Sequence, residues 1–365
     1  MKKKKGNVKK DQYADGMFAR QQIYAQQVKQ QFDQAVKELL DLVKHCDLDP
    51  EHQFLFEKQS KKISEKATEI LRRLYSLTYF QIKTGILTEW ELANKSCDIM
   101  IQTIFGKNFD SAMCARWFDR NKAAVDQFFK RTQAVGGLSL SQRVWKYTSG
   151  LRTELENAVT VAIGEGKSAS DISREVRKYL QYPDKLFRRV RDSNGKLHLS
   201  KNAKAFHPGQ GVYRSSYKNA MRLAVTETNA AYRAADEDRW QRLDFVIGYE
   251  IKKSNAHKKE DVCDLLCGKY PKQFKFTAWH PQCHCYVVPI LCSMQEMAKM
   301  NAAILQGKDP ASVKIQNVVT DVPEVFKQWI SDNKARIKNA SVLPYFIAEN
   351  FKNGNINKGL RFKTK

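Results

Sequence analysis

The sequence lacks any run of about eighteen apolar residues, and this absence excludes a membrane-spanning helix. Its lysine-rich start, Met1 to Lys10, is followed by no apolar stretch, so a secretory signal peptide is not expected either. A Gly-rich loop of the kind that binds nucleotide phosphates is also missing, and the residues after Leu291 show no segment resembling a separate toxin domain. These absences argue against a membrane protein, a secreted protein and a nucleotide-dependent enzyme.

Cysteine is scarce over most of the chain and concentrated in one part of it. Only three cysteines occur among the first 262 residues, whereas five occur after them. In a large chain without an export signal these are expected to be thiols rather than disulfides. The region from 263 to 285 gathers six sulfur and imidazole side chains: Cys263, Cys267, His280, Cys283, His284 and Cys285.

This cluster has two main interpretations, a structural metal site and a group of packed thiols. Zinc takes four sulfur or imidazole ligands, and Cys263, His280, Cys283 and Cys285 supply Cys3His. The His-x2-Cys spacing suits chelation. In an extended segment, however, Cys283 and Cys285 would point to opposite faces, and the β-branched stretch from Tyr286 predicts a strand nearby. A Cys/His nucleophile is a third interpretation, for which the sequence offers no recognisable orienting group.

The charge is strongly basic and unevenly placed. The 63 basic and 39 acidic residues give a net charge of +24, of which +6 lies in residues 1–10, +5 in 183–204 and +5 in 350–365. Such segments bind nucleic acids through contacts with phosphates, independently of the base sequence. The alternative interpretation is that lysine tails only make a protein more soluble. The candidate DNA contacts are Lys2, Lys3, Lys4, Lys5, Arg188, Arg189, Arg191, Lys358, Arg361 and Lys363.

The first 181 residues show helical periodicity. The segment 17–43 has an apolar stripe with Gln-rich flanks, typical of a helix that docks on a partner or packs in a bundle. Further helices are predicted at 51–83, closed by Gly85, at 89–105, at 110–133, from Ser139 or Ser141 to Gly164, and after a Ser168/Asp171 capping box. The last two of these helices also resemble a helix-turn-helix motif, in which Ser173, Arg174 and Arg177 would contact DNA bases.

After residue 181 the pattern changes. Asn194-Gly195 predicts a basic hairpin or flexible excursion. A long helix at 213–243, strands at 245–253, 274–279 and 285–290, and helices at 293–306 and 323–338 follow. The predicted fold is mainly α, with an N-terminal helical region followed by an α+β domain with a small antiparallel sheet. The predicted segments are a basic tail (1–16), a helical docking region (17–181), the basic excursion (182–212), the α+β domain (213–291), C-terminal helices (292–349) and a basic tail (350–365).

A family resemblance rests on residues of this C-terminal part. Glu227 in NAMRLAVTETNAAYRAADEDRW, then Asp261, Cys263 and the HP-x-C-x-C motif from His280 to Cys285, resemble the phage head-morphogenesis family, the minor head proteins similar to the F protein of phage Mu. The resemblance covers 138–291. The family usually has an Arg directly before its Thr-Glu pair, where this chain has Val225. The polar motif that the resemblance implies is therefore Arg222, one helical turn earlier, with Thr226, Glu227 and Asp261.

The resemblance implies a phage or prophage minor head protein with no catalytic step. Its expected partners are the portal and major capsid proteins and, non-specifically, double-stranded DNA. Its expected location is the virion head, and the host cytoplasm during assembly. The α+β domain would be stabilised around the Cys/His cluster, by zinc if metal binds. One alternative is an ADP-ribosyltransferase-like toxin that uses Arg222, Thr226 and Glu227 around a nicotinamide cleft, and another is a helix-turn-helix regulator.

Overall fold

The computed structural model describes Tyr13 and residues 16–107, 109–132, 136–182, 189–199, 215–254 and 261–362. These residues form two compact units, each assembled from separated stretches. Unit 1 draws on Met1–Gln21, Gly85–Ser139 and Thr226–Lys365, and unit 2 on Gln22–Thr84 and Leu140–Val225. The division differs from the linear segments expected from the sequence, because single long helices contribute residues to both units.

The N-terminal half is helical, as its periodicity predicts. Val28, Phe32 and Leu39 on the apolar stripe of the first helix are fully buried. The Asn194-Gly195 dipeptide lies in the turn of a two-stranded antiparallel hairpin, as predicted. The elements are α1 (Met17–Val43), α2 (Lys61–Phe105), α3 (Ser111–Trp117), α4 (Lys122–Lys130), α5 (Leu140–Gly164), α6 (Ala169–Gln181), β1 (Arg189–Arg191) and β2 (Leu197–Leu199).

The bounds of three helices predicted in this half, at 51–83, 89–105 and 110–133, are wrong. The helix predicted from residue 51 begins at Lys61 and continues through Gly85 to Phe105. A glycine inside a helix costs about 1 kcal/mol relative to alanine, and this one is buried beside Ile82 and Ile86, whose burial offsets that cost.

The helix predicted at 110–133 is two helices, α3 and α4. The chain turns at Asn121, whose φ of 41° lies in the left-handed region. Its side chain accepts a hydrogen bond from the Ala124 backbone, so it caps α4 instead of extending α3.

The C-terminal half contains the three-stranded antiparallel sheet. Its strand order is β4-β3-β5, and the central strand, predicted at 245–253, spans Val246–Lys252. The elements are α7 (Ser216–Gln241), β3 (Val246–Lys252), α8 (Val262–Leu266), β4 (Gly268–Tyr270), β5 (Tyr286–Leu291), α9 (Met294–Leu305), α10 (Glu324–Asp332), α11 (Lys334–Lys338) and α12 (Tyr345–Asn350). The chain is thus mainly α with a small antiparallel sheet, and the predicted fold class is confirmed.

The strand predicted at 274–279 is not formed, and β4 takes its place at the sheet edge. The aromatic residues of this segment pack into the core of unit 1 instead. The Phe274 ring lies 4.4 Å from that of Tyr270 and 5.3 Å from that of Phe326, and the Trp279 ring lies 5.0 Å from that of Phe346. The sequence pattern cannot distinguish aromatic residues that pack in a core from aromatic residues of a strand. In this segment the burial of the large aromatic side chains outweighs their strand propensity.

Residues 350–362, expected to begin a basic tail, are folded within unit 1. Phe351 forms an antiparallel bridge with Leu360. The buried Asn350 side chain bonds both the N–H and the C=O of Lys275, at 2.7 and 2.8 Å. Among the described residues, no helix carries an 18-residue window apolar enough to cross a membrane.

Candidate metal centre

The first part of the Cys/His cluster is set by the short helix α8. Asp261 is its N-cap and accepts a hydrogen bond from the Cys263 N–H at 2.7 Å, while Asp264 completes a capping box. Cys267 ends the same helix. Helix α8 therefore holds Asp261 and Cys263 at its N-terminal end and Cys267 at its C-terminal end.

The second part is the turn that carries the HP-x-C-x-C motif. The Cys283 N–H donates to the His280 carbonyl at 3.1 Å, and Gln282 has a φ of 60°, so the chain folds tightly here. The strand β5 begins only at Tyr286. The expected difficulty, that an extended backbone would separate Cys283 from Cys285, does not arise because both cysteines precede the strand.

Three cysteines meet at this point. The Sγ atoms of Cys263 and Cys283 are 3.8 Å apart, and those of Cys263, Cys283 and Cys285 all lie within 4.8 Å of one another. All three residues are buried. Ligands about 2.3 Å from a tetrahedral zinc ion would have sulfur atoms roughly 3.8 Å apart. The buried group Cys263, Cys283 and Cys285 could therefore hold a metal ion.

His280 reaches the same group from its exposed side. Its Nε2 lies 3.1 Å from Cys263 Sγ and 3.2 Å from Asp261 Oδ2, and its Nδ1 lies 2.8 Å from the Pro281 carbonyl. A carbonyl oxygen only accepts, so we assign the ring proton to Nδ1. With the proton on Nδ1, the lone pair of Nε2 could bind a cation, as in metal sites where a backbone carbonyl orients the histidine ligand.

Cys267 is a donor that the sequence-based ligand set omitted. Its thiol hydrogen-bonds that of Cys285, and this contact lowers the pKa of Cys267. The Cys-x3-Cys spacing across a single helical turn was the signal in the sequence. The structure thus divides the four predicted ligands between two groups that share Cys263: the buried Cys263, Cys283 and Cys285, and the pair of Cys263 and His280. Cys267 and Asp261 lie beside these groups.

Contacts among the thiols shift their pKa values in opposite directions. Burial opposes ionisation of Cys283, but hydrogen bonds with Cys263 and Cys285 outweigh it and hold the pKa of Cys283 well below its usual value. The hydrogen bond to Cys283 raises the pKa of Cys263, and that to Cys263 raises the pKa of Cys285. All eight cysteines lie in described parts of the chain and none forms a disulfide, as predicted.

Helix α7 fixes the cysteine turn through buried polar side chains. Arg233 donates to the carbonyls of Thr277 at 2.6 Å, Cys283 at 3.0 Å and Cys285. Asn229 also donates to the Cys283 carbonyl, at 2.8 Å. Neither residue was predicted from the sequence, although polar side chains at 226, 229 and 233 in an alanine-rich helix share one face and could have marked them.

The polar motif of the resemblance divides between the units. Thr226 and Glu227 belong to unit 1, and Arg222 to unit 2. The Thr226 hydroxyl accepts a hydrogen bond from the Gln282 N–H at 3.3 Å, which ties it to the cysteine turn. Glu227 is buried and paired with Arg131 at 2.8 Å, so it is a core ion pair within unit 1 rather than a surface carboxylate.

The predicted DNA-contacting residues are only partly described. Lys358 is exposed. Arg361 donates to the carbonyls of Ala348 and Phe351, so its guanidinium also holds the C-terminal segment, and Arg191 donates to the Gly195 carbonyl. The Arg189 side chain and the residues Lys2, Lys3, Lys4, Lys5, Arg188 and Lys363 lie outside the described part of the structure.

Comparisons with known proteins gave no match, whether the chain was scanned against protein-family models or searched against curated proteins and solved structures.

Proposed function

We propose that this chain is a phage or prophage minor head protein that acts in head assembly near the portal, and that zinc in the Cys/His cluster stabilises its α+β part. One observation carries the proposal. Several sequence elements of the resemblance, namely Thr226, Asp261, Cys263 and the HP-x-C-x-C motif, meet at one place in unit 1. Thr226 bonds the turn that carries the HP-x-C-x-C motif, and Cys263 contacts both His280 and Cys283. Residues of a shared motif are expected to converge in this way when they form one structural module.

The same arrangement favours a structural role over a catalytic one. Glu227 and Thr226, which a transferase would need to present to a cleft, are buried and bonded to Arg131 and to the Gln282 backbone. The thiols that would bind metal are likewise buried, and a structural zinc ion has four protein ligands whereas a catalytic one keeps a position open. With Cys267, whose thiol bonds that of Cys285, the buried group offers four thiols to such an ion.

Docking on head proteins is assigned to three exposed apolar side chains of unit 2, which together are called the docking surface. Ile23 of α1 and Leu77 and Phe80 of α2 are exposed by 55%, 47% and 68%. We expect the triple variant Ile23→Glu, Leu77→Glu, Phe80→Glu to fold normally, because these side chains are exposed, and to be depleted at least about tenfold in phage heads, which corresponds to about 1.4 kcal/mol of docking free energy. The measurement is quantitative mass spectrometry of heads purified from an otherwise complete phage.

The matched control is Leu305→Glu, which places a charge on an exposed leucine of unit 1. Wild-type abundance of the triple variant in heads would rule out docking by this surface. Absence of the wild-type protein from normal heads would overturn the minor-head proposal itself. A truncation of α1 is a poorer test, because Phe18 packs on His284 and Arg20 neutralises the buried Glu89.

DNA contact is assigned to the basic segments, through phosphates. Deleting residues 1–10 removes six lysines, and replacing Lys352, Lys358, Lys363 and Lys365 with glutamine removes four more charges. Removal of one lysine–phosphate interaction should reduce the slope of log K against log salt by about 0.9, with little dependence on DNA sequence. A deletion from Asn350 onward is unsuitable because Asn350 and Phe351 are buried.

Fluorescence anisotropy with labelled duplexes over a range of salt concentrations measures this slope. Glutamine replacements at the exposed Lys61, Lys62 and Lys66, outside the three basic segments, are the control and should leave the slope unchanged. Failure of the full-length protein to bind duplex DNA at low salt, or a thousandfold preference for one sequence, would contradict the proposal.

A further inference from the structure

The metal centre offers more donors than one ion can use. Two overlapping groups share Cys263. The buried group is Cys263, Cys283 and Cys285, and the exposed group is Asp261, Cys263 and His280. Cys267 adjoins the buried group through its hydrogen bond to Cys285. A tetrahedral zinc ion takes four ligands, so a single ion would leave two of these six side chains outside its coordination.

The geometry of the exposed group suits a cation. His280 Nε2 lies 3.2 Å from Asp261 Oδ2 and 3.1 Å from Cys263 Sγ, and its Nδ1 lies 2.8 Å from the Pro281 carbonyl. Nitrogen, oxygen and sulfur ligands about 2.0 to 2.3 Å from a tetrahedral zinc ion would lie roughly 3.3 to 3.8 Å apart. The three donor atoms are therefore grouped closely enough to share one ion.

We propose that Asp261, Cys263 and His280 hold a second divalent ion of the zinc type, and that the Cys263 thiolate bridges it to the ion in the buried group. The inference rests on the buried ion of the proposed function. The Asp261 and His280 side chains are 35% and 32% exposed, so the second ion is accessible to solvent. Three protein ligands leave its fourth position for water or for an anionic oxygen, such as that of a carboxylate or a phosphate.

Metal stoichiometry tests the proposal in the full-length protein. Protein purified without chelator is equilibrated with zinc, dialysed, and measured by elemental analysis. We expect two zinc ions per chain in the wild type and one in each of His280→Ala and Asp261→Asn. Asparagine keeps the N-cap hydrogen bond of Asp261, so this variant should keep its fold if His280→Ala does not. His198→Ala, a histidine in the hairpin of β1 and β2, is the control and should retain two.

A cobalt-loaded sample adds a second readout. A bridging thiolate couples the spins of two Co(II) ions, so the cobalt signal in electron paramagnetic resonance should be weaker at two equivalents than at one. His280→Ala, which keeps a single ion, should show no such loss.

The outcomes separate the two metal assignments. One zinc in the wild type that disappears in His280→Ala would make His280 a ligand of a single ion and overturn the second site. The second site would also be overturned if the wild type binds one zinc ion and His280→Ala keeps it. Two zinc ions in the wild type that both remain in His280→Ala would overturn it too. No zinc in the wild type would overturn both sites, while the minor-head assignment would still be judged by the composition of purified heads.

Discussion

Replacing Cys283 with serine is expected to abolish metal binding in the buried group and to destabilise unit 1 by more than about 4 kcal/mol, because loss of a structural metal is among the most damaging single changes. Cys283 is a buried thiol 3.8 Å from that of Cys263, and its carbonyl anchors both Asn229 and Arg233. Serine preserves the backbone contacts, so the loss is attributable to the sulfur. Thermal unfolding with and without a zinc chelator measures the effect.

The chelator should lower the melting temperature of the wild type and leave that of Cys283→Ser unchanged. The matched control is Cys114→Ser, which alters an exposed thiol on α3. It should melt like the wild type and keep its response to the chelator. Substoichiometric zinc in the wild type, together with a Cys283→Ser variant that melts at the wild-type temperature, would leave the cluster as packed thiols without metal.

Arg233→Ala is expected to weaken zinc binding by about 10- to 100-fold, because Arg233 supports the backbone that carries two of the proposed ligands and would not itself touch the ion. The same change leaves the carbonyls of Thr277, Cys283 and Cys285 without their guanidinium donor in a buried region. At about 1–3 kcal/mol for each buried group left unsatisfied, we expect a loss of roughly 4 kcal/mol in the free energy of unfolding. Chelator competition and denaturant unfolding measure the two effects.

Arg233→Lys should restore only part of the stability, since a single ammonium group cannot reproduce the planar fork of the guanidinium. Arg174→Ala is the control, because this side chain is 78% exposed and forms one surface pair with Asp171. It should change stability by less than about 0.5 kcal/mol. Wild-type zinc affinity and stability in Arg233→Ala would show that α7 does not hold the turn that carries Cys283 and Cys285.

Much of the helical structure could be predicted from neighbouring residues. The apolar period of 17–43 and the Ser168 N-cap with Asp171 predicted α1 and α6. The hairpin turn at Asn194-Gly195 followed from the positive φ that glycine supplies there. Each of these signals acts over a few residues, so no knowledge of the remaining chain was needed.

The candidate site was predictable as a cluster but not as a geometry. Its cysteines and His280 stand close together in the sequence, which is why the sequence predicts four ligands. Whether Cys283 and Cys285 could reach one ion depended on where β5 begins. The role of Arg233 depended on contacts with Cys283 and Cys285, 50 and 52 positions away. No local pattern encodes such contacts.

Composition, short-range spacing and turn chemistry were enough to determine the mainly helical fold class, the presence of a small sheet, the basic charge and the grouping of thiols near His280. Three outcomes were decided only in the folded chain: α2 continues through Gly85, Phe274 and Trp279 enter the core instead of a strand, and Asp261 and Cys267 lie beside the four predicted ligands. These outcomes depend on burial and hydrogen bonding between distant parts of the chain, which override local propensity wherever the two compete.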